Sequence, residues 1–196
     1  MGGRTVRILL AAGGTLCLAQ PALAHPGHVG HGFADGWAHP FHGLDHLLAM
    51  LAVGLLAVRA GGHGLWLLPA SFAGALLAGG ALAAAGVPLF GVEYAIATSV
   101  IVLGGLLALA RRPARGWEVA IVALFALFHG HAHVAELSGG ASFASSAGGF
   151  LLATGVLHLA GIAAGSLALR ALDRPALRIG GGAIAAAGMA ILATLI

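Results

Sequence analysis

Residues 39–59 read HPFHGLDHLLAMLAVGLLAVR, and the fold follows from how this stretch is read. Positions 40–58 form an apolar run that ends on Arg59. At about 1.5 Å per residue, such a run comes close to the roughly 30 Å thickness of a bilayer's hydrocarbon core. Its first third nevertheless carries His42, Asp45 and His46, with His39 just before it. Ionisable groups inside a span are costly and face a partner or a polar cavity. The stretch therefore reads as a transmembrane helix with a polar site at one end. Pro40 suits the first turn of that helix, where its missing N–H costs nothing.

Five further apolar runs follow, at 65–85, 92–110, 117–137, 148–169 and 179–196. Of the 196 residues, 60% are hydrophobic and 8% charged, against about 25% charged in soluble domains. The expected fold is an all-α membrane protein with six transmembrane helices at 39–196 and no large soluble domain. The chain has no lysine, and its net charge of +3 comes from arginines with no basic run or basic helix face, so nucleic acid is not an expected partner. Cys17 is the single cysteine, which excludes a disulfide framework and a multi-thiolate metal site. No nucleotide-binding motif is present, and no organic cofactor is expected.

Residues 1–24 have the parts of a secretory signal: Arg4 and Arg7, an apolar stretch, then Ala22-Leu23-Ala24 for cleavage. A mature chain would begin at His25, on the outer side of the membrane. Arginines give an independent reading of orientation. Arg59, then Arg111, Arg112 and Arg115, then Arg170, Arg174 and Arg178 occupy alternate loops, while 86–91 and 138–147 carry no positive charge. The positive-inside rule puts these arginines in the cytoplasm and both mature termini in the periplasm, in a bacterial inner membrane.

Eleven histidines stand against six carboxylates, and most fall in three groups. On one continuous helix His39, His42, His46 and Met50 share a broad stripe with Asp45 at its edge. Asp45 would be either a ligand or the acceptor that orients a ligating imidazole. In 128–136, FHGHAHVAE, the residues His129, His133 and Glu136 recur at i, i+4 and i+7, within about 60° on a helix. His131 points the other way and reads as a packing residue. His158 and Glu93 lie in other spans at comparable depth and are weaker candidates. Residues 25–38 form a histidine-rich outer segment in which His25, His28 and His31 would capture an ion. Phe-His-Gly-x-x-His occurs at both 41–46 and 128–133, but strict inversion would put the second copy at the opposite end of its helix, so no repeat is inferred.

Neutral imidazoles with a few carboxylates suit a borderline divalent ion and disfavour copper(I). The ligands expected from this pattern are His39, Asp45, His46, His129, His133 and Glu136, with His42, Met50, Glu93 and His158 as further pathway candidates. No catalytic residue is expected. An intramembrane histidine-ligated metalloenzyme and a metal sensor without flux are the rival readings. No His-Glu-x-x-His run supports a zinc peptidase.

The two strings also resemble the HupE/UreJ family of nickel transporters. The signature His-Pro-x-x-Gly-x-Asp-His-x-x-x-Met is matched by His39, Pro40, Gly43, Asp45, His46 and Met50. Phe-His-Gly-x-Ala-His-x-x-Glu is matched by Phe128, His129, Gly130, Ala132, His133 and Glu136. The stretch around Glu93 and Ser99 and residues 149–158 look similar to the family pattern as well. The resemblance implies a six-helix permease that brings Ni2+ inward for hydrogenase or urease maturation. Co2+ and Zn2+ stay open as cargo, as does a homo-oligomer.

Overall fold

A computed structural model describes residues 32–109, 113–137, 143–171 and 174–196, with side chains except those of 135–137, 143 and 174. The expected signal peptide, His25, His28, His31, Arg111, Arg112 and the side chains of Glu136 and Arg174 lie outside this description. Leucine- and alanine-rich runs favour helix intrinsically, and every element described is a helix: α1 (Phe33–His42), α2 (Leu44–Ala60), α3 (Gly64–Ala84), α4 (Val92–Ala108), α5 (Arg115–Leu137), α6 (Phe143–Ala171) and α7 (Arg174–Ala193). The α2–α3 turn needs glycine, because Gly61 and Gly62 take φ of 62° and 50°. There the Gly61 N–H closes α2 by donating to the Ala57 carbonyl at 2.9 Å.

The first expected span is not one straight helix. It breaks at Gly43, whose backbone is extended (φ −94°, ψ 111°), and α1 meets α2 at 85°. Pro40 lies near the C-terminal end of α1 rather than in a first turn. Its ring removes the N–H that would bond the Gly36 carbonyl, weakening the helix just before the break. The single stripe is corrected accordingly. His39 and His42 belong to α1, and only His46 and Met50 share α2.

Helices α3, α5, α6 and α7 are long and apolar enough to cross a membrane, and the bent α1–α2 pair makes up to five. The remaining apolar run forms α4, which is shorter at 17 residues. The described residues thus form only helices, with the spans of a multi-pass membrane protein.

Helix α2 is the central element, packed on α1, α3, α4 and α6. Its Met50, Val53 and Leu56 are fully buried with Leu68 and Phe72 of α3, Leu103 of α4 and Val122 of α5. Small residues set the closest crossings. A Cβ on Gly79 would overlap the Leu127 carbonyl, and one on Gly130 would overlap the Leu76 carbonyl, so α3 and α5 are notched into each other. Gly54 of α2 and Gly161 of α6 are related in the same way. Arginines gather at one end of the bundle. Arg59 reaches the Leu106 carbonyl and Glu118, Arg178 Nε donates to the Ala108 carbonyl at 3.0 Å, and Gly64 lies beside Arg115.

Candidate metal centre

At the opposite end, three helices bring imidazoles together. His39 from α1, His46 from α2 and His133 from α5 each offer a ring nitrogen, and the three atoms lie within 4.8 Å of one another. His46 and His133 are buried, at 8% and 5% exposure. The 85° bend is what makes this possible. It folds α1 across the end of α2, so His39 and His46 sit with ring centroids 5.7 Å apart, and His39 and His133 at 4.5 Å. His129, fully buried one turn below His133, has its ring 4.7 Å from that of His46. Phe150 of α6 covers the group, its ring centroid 3.6 Å from that of His133.

Hydrogen bonds fix which nitrogens carry protons. Asp45 Oδ1 accepts from the His46 backbone N–H at 2.7 Å and from its ring Nδ1–H at 2.6 Å. An ionised carboxylate only accepts, so His46 keeps its lone pair on Nε2. Of the two roles open to Asp45, the contact is that of an acceptor orienting a neighbouring imidazole. Ser99 acts likewise on His129. Its hydroxyl donates to the Ile96 carbonyl at 2.6 Å, so its oxygen accepts from His129 Nε2–H at 3.0 Å, leaving the lone pair on Nδ1. His46 Nε2, His129 Nδ1 and His133 Nε2 are buried with no hydrogen-bond partner. Leaving such a group unpaired costs about 1–3 kcal/mol, but His131 Nδ1 and His158 Nε2 are in the same state, so it is the convergence of three ring nitrogens within 4.8 Å that fits an ion here.

Glycine at the bend has a spatial reason. A Cβ on Gly43 would stand 2.9 Å from Asp45 Oδ1 and 3.0 Å from His46 Nδ1, inside the hydrogen bond that orients the ring. Gly43→Ala is expected to weaken binding of a divalent transition-metal ion about 10–100-fold, as loss of an orienting contact does, with helix content unchanged by circular dichroism. Ser99→Ala is expected to fall in the same range. Ser99→Thr, which retains the hydroxyl, is expected to recover most of the loss in equilibrium dialysis.

Several sequence candidates are not drawn in. His42 and Glu93 are exposed and stand outside the three-histidine group, because the break turns His42 outward and α4 opens at the surface. Met50 is wholly buried in the apolar core. His158 is buried, but Phe72 lies against both it and His129, with centroids at 5.0 and 5.9 Å. His131 packs, its Nε2 donating to the Val87 carbonyl at 2.8 Å. Sequence reasoning missed the tautomer-setting contact of Ser99, the cover of Phe150 and the pairing of Arg59 with Glu118. A carboxylate inside an apolar run was the signal for the last of these.

The chain matches the family described as HupE / UreJ protein over residues 14–191. It belongs to the HupE/UreJ family. This HupE/UreJ chain is also 42% identical over 178 residues to Protein HupE of Rhizobium leguminosarum bv. viciae, covering 89% of its own length and 93% of that protein's. No solved structure matches it. The HupE/UreJ family is one of transporters and not of enzymes, and it is associated with nickel and cobalt transport for hydrogenase and urease. In this HupE/UreJ chain the glycines beside the histidines of both strings have a spatial reason: Gly43 makes room for the Asp45–His46 contact and Gly130 for the crossing of α3 with α5.

Proposed function

We propose that this chain is an inner-membrane permease for a divalent transition-metal ion, Ni2+ before Co2+ or Zn2+, taken from periplasm to cytoplasm for hydrogenase or urease maturation. One observation carries the reading. Three buried or half-buried imidazoles from three helices converge within 4.8 Å, in a chain otherwise poor in polar groups. In this reading α1–α2 is one broken span, α4 is the third of six, and the arginine end faces the cytoplasm. His25, His28 and His31 collect the ion. His39, His46 and His133 then replace its water shell, with His129 and Glu136 completing the set and Asp45 and Ser99 holding rings in place. Imidazole donors suit nickel, cobalt and zinc alike, so the order among them rests on the family.

The test pairs two measurements on the purified chain: bound Ni2+ by equilibrium dialysis in detergent, and Ni2+ flux in proteoliposomes. The expected result is bound ion at the histidine centre together with saturable flux. Binding without flux would make it a sensor, and neither would end the proposal.

A further inference from the structure

The arginine end of the bundle holds a second polar feature that the histidine centre does not use. Glu118, at 0% exposure, is the one carboxylate buried to that degree among the described residues. Its Oε1 accepts from Arg59 Nη2 at 2.6 Å, and Arg59 Nη1 donates to the Leu106 carbonyl. One guanidinium therefore ties α2, α4 and α5 together. Glu118 Oε2 and Arg59 Nε are buried without partners, so the pair is not as fully satisfied as a purely structural ion pair would be.

Its position along the helices matters. Arg59 and His46 are at opposite ends of α2, and Glu118 and His129 at opposite stretches of α5. At 1.5 Å per residue the pair lies about 16–20 Å from the histidines. Between them, Val53, Leu56, Val100, Leu103, Val122 and Ala126 are all fully buried. The interior thus reads, from one end to the other, as imidazoles, a buried apolar plug, and a buried ion pair.

Resting on the permease reading, we propose that Arg59 and Glu118 form the gate at the arginine end of the metal pathway. The gate is closed while the guanidinium holds the carboxylate. A dication arriving through the plug attracts Glu118 about twice as strongly as Arg59 does at equal distance, so it displaces the guanidinium, frees α2 from α4 and α5, and leaves past Glu118. A monovalent cation has no such advantage.

The test is a thiol placed in the plug. Val53→Cys in a Cys17→Ser background, in nanodiscs open to both faces, is treated with a membrane-impermeant methanethiosulfonate. In that parent, labelling is expected to be slow. Glu118→Gln is expected to speed it at least tenfold, and saturating Ni2+ to speed the parent at least threefold, with K+ at equal ionic strength without effect. Labelling of Glu118→Gln within twofold of the parent would overturn the gate. Should Glu118→Gln not yield monodisperse protein, Arg59→Lys is read by the same criterion, because it keeps the charge and loses the fork that spans Leu106 and Glu118. Labelling of the carboxamide variant needs no cargo. Faster labelling without nickel flux in the wild-type chain would therefore count against the permease reading and not against the gate.

Discussion

On the proposed permease reading, replacing His46 or His133 with alanine is expected to weaken nickel binding more than about 100-fold and to reduce flux in proteoliposomes to the level of empty vesicles. Loss of a residue that merely orients a ligand costs about 10–100-fold, and these two imidazoles are themselves in the converging set. Each is buried, with its Nε2 lacking a hydrogen-bond partner. Alanine in either place removes one of the three converging donors. The control is His131→Ala, two residues before His133 but bonded to the Val87 carbonyl. It is expected to cost about 0.5–1.5 kcal/mol of stability through that lost bond and to leave nickel affinity within twofold. Equal loss of binding in His131→Ala and His133→Ala would show that histidine number, and not this geometry, holds the ion.

The second large effect concerns folding. Gly79→Leu is expected to destabilise the bundle by about 3 kcal/mol or more, the upper end of what overpacking costs, and to reduce the yield of monodisperse protein sharply. The neighbour that a Cβ would overlap is the Leu127 carbonyl, which is backbone and cannot rotate aside. Gly74 is on the same helix with nothing within 4 Å of an added Cβ. Gly74→Leu is therefore expected to be neutral or stabilising by up to about 1 kcal/mol, since glycine is a poor helix former. A thermal melt of both variants in detergent separates crowding at the crossing from a general intolerance of leucine in α3.

The three histidines that converge are legible in the order of residues, but the helix-wheel reason for pairing two of them is mistaken. A straight helix would pair His39 and His46 along one stripe, whereas the chain bends by 85° between them. They meet through the bend instead. A helix wheel has no means of registering a break at a glycine whose φ and ψ any residue can adopt. Gly43 is required there because of what surrounds its missing Cβ, the Asp45 and His46 side chains, and that surrounding exists only after folding. Glu93 and His158 stand outside the three-histidine group for a related reason. Depth along a helix is readable in the sequence, but azimuth toward a neighbour is not: Glu93 is exposed, and Phe72 packs against both His158 and His129.

Hydropathy, the alternation of arginines and the two histidine strings are properties of the chain in one dimension. They were enough for an all-helical membrane protein with a metal-type donor set near one end, because lipid forces backbone groups to be satisfied within each helix. Which donors converge, which nitrogen of His129 keeps its lone pair, and how Arg59 meets Glu118 depend on contacts between helices distant in sequence. Ser99 sets the His129 tautomer across 30 positions, and Glu118 meets Arg59 across 59. Such contacts are fixed by the glycine notches and the bend at Gly43, where the absence of a side chain decides how closely, and at what angle, the helices cross.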